Sequence, residues 1–118
     1  MVERGRGTII FTGATASTRG GAGFSAFAGG MSAKRSLAQS MARELGPKGV
    51  HVVHAVIDGG IDTPFVKETL GTEKFEAMKD AGGLLDPSAI AESYFDLSRQ
   101  PSTAWTHELD LRPSVEKW

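Results

Sequence analysis

Two apolar strand-like runs enclose one long helical segment between Gly7 and Gly60, and that order leaves few folds open. The first run is Thr8-Ile9-Ile10-Phe11, closed by Thr12-Gly13. The second is Val50-His51-Val52-Val53-His54-Ala55-Val56-Ile57, closed by Asp58-Gly59-Gly60. Strands that read as nearly continuous β-branched runs are covered on both faces, and a helix between two of them predicts a parallel β-α-β unit. Ligands of open parallel sheets sit at the carboxyl ends of the strands. Any site is therefore expected from Thr12–Phe27 and Asp58–Pro64.

The chain has 118 residues, enough for a single domain with a modest core. A net charge of −1 gives no basic footprint, so no nucleic-acid partner is expected. There is no cysteine, which excludes a disulfide scaffold and thiolate metal sites and fits a reducing, cytoplasmic setting. No apolar run approaches the ~20 residues of a membrane span, so no membrane partner is expected. Residues 1–6 are charged and expected to fray.

The loop Thr12–Phe27 is rich in glycine, which invites a nucleotide-binding reading. That reading needs G-x-G-x-x-G directly after the strand and an acidic residue about 20 positions on. Gly13 is followed by Ala14-Thr15-Ala16-Ser17-Thr18, and the next strand-end acid is Asp58, so the pattern fails on both counts. Arg19 in this loop can bind an anion; the ordinary reading is a solvated loop arginine.

The predicted helix runs from about Ala28 to Leu45. Leu37, Met41 and Leu45 recur at four-residue spacing among Ala33, Ala38 and Ala42, and Gly46-Pro47 stops the segment. Gly29 and Gly30 oppose it, at about 1 kcal/mol each relative to alanine. Beyond Pro64, Phe65–Leu85 reads as a flexible insertion with short helices, Thr72 capping one of them. Asp86-Pro87 starts a further helix ended by Pro101. Ala104–Leu111 alternates as a third strand beside the second. His51 and His54 fall on opposite faces of their strand and cannot share a metal, so the histidines read as structural and no metal site is expected.

These residues carry a family resemblance. Leu37-Ala38-Gln39-Ser40-Met41-Ala42-Arg43-Glu44-Leu45-Gly46-Pro47 resembles the active-site helix of short-chain dehydrogenases/reductases. Ala55–Pro64 resembles the turn after that family's sixth strand, with Asp58-Gly59 where Pro-Gly is usual, and Ala104–Pro113 resembles its last strand. The resemblance covers Gly7 to Trp118 and implies the C-terminal half of the family's fold. The expected fold class is α/β: a partial Rossmann-like three-layer fold of about three parallel strands (β-α-β, insertion, α-β). Residues 1–118 would form one domain without the N-terminal cofactor-binding half.

The family implies NAD or NADP and a Ser, Tyr-x-x-x-Lys catalytic set. Read without a gap, those positions hold Ala14, Phe27 and Met31, which offer no hydroxyl, no phenol and no ammonium. Ser17 or Thr15 is a possible substitute for the serine and Lys34 for the lysine, through a local insertion at Gly29-Gly30-Met31; a solvated helix lysine and turn-satisfying hydroxyls are the plainer alternative. Asp58, Gly59 and Thr63 are the candidate cofactor contacts. The missing half would leave the first strand with a bare edge and the helix without a neighbour. The family's four-helix dimer contact therefore implies a homo-oligomer through Ala28–Leu45 and the first strand edge.

Three functions stay open. One is a truncated oxidoreductase homologue without autonomous dehydrogenase activity, for which no cofactor is expected on this chain alone. Another is a fragment of an NAD(P)-dependent oxidoreductase acting on a small carbonyl or alcohol, an origin favoured by Met1–Gly7, which reads like the approach to a fifth strand. The last is a small-ligand binding or assembly module.

Overall fold

Strand β2, His51–Ile57, is buried along all seven residues, so it can only be the middle of something. β1 (Thr8–Ala14) pairs with it in parallel from Thr8↔His51 to Ala14↔Ile57, and β5 (Glu108–Leu111) pairs in parallel on the other side from His54↔Glu108 to Ile57↔Leu111. The computed structural model, which describes residues 1–118, thus holds a three-stranded sheet in the order β1-β2-β5. Helix α1 (Ser25–Leu45) covers one face. On the other face Ala55, Ile57 and Leu85 pack with Ile10, Ile90, Tyr94 and Leu111, and Ile90 and Tyr94 belong to α4 (Pro87–Ser98). This is the expected three-layer, partial Rossmann-like α/β arrangement.

β1 runs past its expected end, through Gly13 to Ala14. A Cβ on Gly13 would stand 2.3 Å from Nε2 of the wholly buried His54 and 2.7 Å from Oγ of Ser17, so only glycine lets the strand continue over that imidazole. The same close approach explains the helix. The side of α1 laid on the sheet is the small one, Ala28 and Ala38, whereas Leu37 of the expected apolar stripe is half exposed. α1 also begins a turn earlier than expected, after the bend at Gly20–Gly23, and runs without a break through Gly29 and Gly30.

The insertion is more ordered than its composition implies. It forms β3 (Gly60–Ile61), α2 (Pro64–Leu70), α3 (Thr72–Asp80) and β4 (Leu84–Leu85), with β3 and β4 paired in parallel. Thr63 caps α2 by accepting from the Val66 amide, and Asp86 caps α4 by accepting from the Ser88 amide. Thr72 caps nothing: it is the first residue of α3, and Gly71 holds the cap position. Residues Val2–Arg4 form a 3₁₀ turn, closed by the Gly5 amide on the Val2 carbonyl, where fraying was expected. β5 starts four residues later than its alternation implies, because the Gln100 carboxamide takes the Thr106 amide and hydroxyl away from the sheet. No helix is long and apolar enough to cross a membrane.

The histidines do take opposite faces. His51 stacks on Trp105 with centroids 4.7 Å apart and donates to the Thr106 carbonyl. His54 donates from Nδ1 to Glu108, which accepts two further bonds from Arg35 of α1 at 2.6 and 2.8 Å. Those Arg35 bonds, with the His54 bond behind them, hold the Glu108 carboxyl below its ordinary value against the opposing effect of burial. No group of three or more His, Asp or Glu is placed to hold a metal ion.

Two substitution experiments follow. A Cβ on Gly30 meets open space, so Gly30→Ala is expected to raise unfolding stability by about 0.5–1 kcal/mol, and Gly13→Ala to lower it by about 1–3 kcal/mol. Urea titration reads both. The second concerns acid. Because the folded Glu108 value lies below the unfolded one, its stabilisation is complete above about pH 4.3 and is lost as pH falls through the folded value. Glu108→Gln is expected to lose about 2 kcal/mol at neutral pH and to flatten that acid limb, measured by thermal melts across pH.

Candidate functional site

The carboxyl ends of β1 and β2 open into a cleft of about 380 Å³. Its walls come from four pieces of chain. The end of β1 and the turn after it give Ala14, Thr15 and Ala16; the glycine bend gives Arg19, Gly20 and Gly21; α1 and its cap give Phe24 and Phe27; and the end of β2 gives Ile57 and Gly59. A larger cleft of about 630 Å³ lies at the opposite ends of the strands, between Arg4, Arg6, Ser98 and Trp105. The first one stands where parallel sheets bind ligands.

Beneath it sits Asp58, only 1 % exposed. A carboxylate taken out of water needs partners, and the fold brings three. Thr15 donates its hydroxyl to Oδ1. Arg19 reaches the same oxygen from Nη2 at 3.3 Å. Arg112 forms an ion pair with Oδ2 at 3.3 Å from Nη1, without the alignment of a hydrogen bond. Arg112 in turn lies over the Trp118 ring at 3.9 Å and pairs with Asp110. Arg19 is solvated, as a loop arginine is expected to be, with its side chain about half exposed, and it also pairs with Asp58.

The sequence-derived candidates divide into two groups. Ala14, Phe27 and Gly59 meet in the cleft wall, and Asp58 supports it from below. Met31 and Lys34 do not line it. Lys34 Nζ instead donates to the Thr12 carbonyl at 3.1 Å. His51 bonds inward to Gly7, so strand alternation turns that Thr12 carbonyl to the outer edge of β1, where the ammonium covers it. Ser17 is buried and its Oγ accepts from the Ala14 amide, closing the turn. Thr63 is occupied by its cap on α2 and by the Ile61 carbonyl. Sequence reasoning missed Thr15 and Arg112 as partners of Asp58. The one available signal was an acid closing an otherwise apolar strand, which must find counter-charge somewhere.

Chemically, the cleft can bind but has little with which to move a proton. Its only charged wall residue is Arg19. The Thr15 hydroxyl is engaged with Asp58. Gly59, at φ +149°, is pressed against Leu85 and Pro113, where a Cβ would stand 3.2 Å from each, which gives one close backbone wall.

A family model described as short chain dehydrogenase matches residues 1–74. Among solved structures, a short-chain dehydrogenase from Rhodopseudomonas palustris is 43% identical with a TM-score of 0.69, the match covering 95% of this chain and 41% of that one. A short chain dehydrogenase/reductase family protein is 29% identical, with a TM-score of 0.76 over 94% of this chain and 46% of that one. Serine dehydrogenase in its closed form, complexed with NADP+, superimposes with a TM-score of 0.82 over 100% of this chain and 48% of that one; at 23% identity this is likeness of fold alone. The chain spans less than half the length of these relatives. No curated protein matches it.

Proposed function

The chain belongs to the short-chain dehydrogenase family, and from that premise we propose that it is a truncated oxidoreductase homologue without autonomous dehydrogenase activity, its cleft kept for binding a small ligand. One observation carries the reading. The wall where the family register puts a proton donor holds Ala14 and Phe27, and Arg19 is its one charged group. Hydride transfer to a carbonyl needs an acid for the developing alkoxide, and these side chains offer none. Of the expected cofactor contacts only Gly59 lines the cleft, with Asp58 buried behind it and Thr63 capping α2, and neither NAD nor NADP is expected on this chain alone. The lack of cysteine supports a cytoplasmic setting as part of the same proposal.

A second reading, a fragment of an NAD(P)-dependent oxidoreductase completed by a further half, is supported by the coverage of 41–48% of the relatives' chains. Titration with NADH and NADPH, followed by fluorescence and thermal shift, of the chain alone and of the chain mixed with the cofactor-binding half of a relative separates the two, since only the second reading expects binding to appear on mixing. The first reading expects no saturable binding up to millimolar cofactor and no turnover of small carbonyls. Saturable binding with turnover would overturn it.

We also propose self-association. The outer edge of β1 is unpaired apart from Lys34, and Phe24, Phe27 and Leu37 are more than half exposed along the adjoining helix. Bare strand edges beside exposed apolar side chains favour pairing with another chain. Light scattering after size exclusion is expected to give a dimer or larger, and Leu37→Glu to shift it towards monomer. A stable monomer at high micromolar concentration refutes this part.

A further inference from the structure

Arg19 is held in an unusual way for a loop residue. The carboxylate that fixes it is itself buried, bonded to Thr15 and paired with Arg112. Two guanidinium groups therefore share one dry carboxylate. The only other acid nearby, Asp110, is exposed, and water screens it. Arg19 keeps most of its five donors free, and the guanidinium belongs to the wall of the cleft. The first turn of α1 adds to this. It brings Phe24 and Phe27 into the same wall, contains no acid, and has no side chain capping its amides. The amino end of a 21-residue helix favours an anion. Everything else in the wall is small or apolar: Ala14, Ala16, Ile57 and the two phenylalanine rings.

From this arrangement we infer that the cleft takes a small organic monoanion, an aromatic or branched apolar carboxylate. Its carboxylate is bound by the Arg19 fork and its body lies against Phe24 and Phe27. Planar guanidinium matches carboxylate through two parallel bonds, and Asp58 holds the plane in place before the ligand arrives. A cleft of about 380 Å³ suits one or two fused rings. With one charged residue in its wall the cleft has countercharge for one negative charge, so a phosphate dianion would keep a second charge unpaired against apolar walls. This inference rests on the reading of the cleft as a small-ligand site and specifies what enters it.

The test uses the full chain and calorimetric titration with 2-naphthoate, its neutral isostere 2-naphthamide, and phenyl phosphate. Naphthoate is expected to bind at least about tenfold more tightly than naphthamide, a difference of about 1.4 kcal/mol, and more tightly than phenyl phosphate. Arg19→Gln is expected to erase the gap between naphthoate and naphthamide. Phe27→Ala, at an exposed position where folding is not at stake, is expected to weaken both ligands alike. Equal binding of acid and amide, an undiminished gap in Arg19→Gln, or preference for the phosphate overturns the inference. So does no binding of naphthoate at millimolar concentration. Titration of the same variants with NADPH keeps the two proposals apart. Cofactor turnover sinks the non-catalytic reading whatever the acids do, whereas loss of the acid–amide gap without turnover sinks only the anion assignment.

Discussion

Burying β2 obliges every polar group on it and at its end to find a partner on another element, and most of the tertiary structure answers that demand. Seven residues in a row are out of water, two of them histidines, and Asp58 follows directly. An unpartnered buried polar group costs about 1–3 kcal/mol, and an unpaired charge costs more. His51 is met by Trp105 and the Thr106 carbonyl, His54 by Glu108, and Asp58 by Thr15, Arg19 and Arg112. Through Glu108 the chain of bonds continues to Arg35, so α1, β2 and β5 are locked across one face of the sheet.

The same demand shapes the cleft. Arg19 would wander in solvent were Asp58 absent; the carboxylate under the floor turns a loop residue into a fixed donor. Ser17 and Lys34, the substitutes considered for the family's catalytic groups, are taken up by backbone duties. One closes the turn after β1 and the other covers a carbonyl on the open edge of that strand. The pocket that remains lies at the carboxyl ends of the strands, with Arg19 as its one charged wall residue. A family's fold and a family's reaction are separable, because the reaction resides in a few side chains and the fold in the apolar pattern.

The open edge of β1 and the exposed Leu37 of α1 belong to one physical problem. A sheet of three strands covered on both faces still has two edges, and the β1 edge is seven residues long. A single lysine at Thr12 blunts it. Half-exposed Leu37 lies on the adjoining helix, outside the cleft, where more chain or a second copy would remove it from water.

How much of this was legible before folding depends on the distance over which each interaction acts. Apolar runs at Thr8–Phe11 and Val50–Ile57, the glycine and proline stops, and the acid–proline start of α4 are local signals. They determined the β-α-β order, the parallel sheet and the end of the sheet where the site lies. Ala14 and Phe27, which the resemblance singled out, line one wall. Local pattern could not say that α1 lays its alanines on the sheet and leaves Leu37 outside. That choice follows from the space above Gly13 and His54, which exists only once β1 and β2 are paired. Nor could it join Thr15 and Arg19 to Asp58, 43 and 39 positions away, or bring Arg112 in from beyond the last strand. Spacing rules reach one helical turn or one strand; the balance of charge around a buried acid is decided by whichever residues the crossover delivers. The sequence by itself determined what kind of sheet forms and which end of it is available. Only the tertiary structure decided that the end holds one oriented arginine and no acid, because burial sets the cost of leaving Asp58 unpaired.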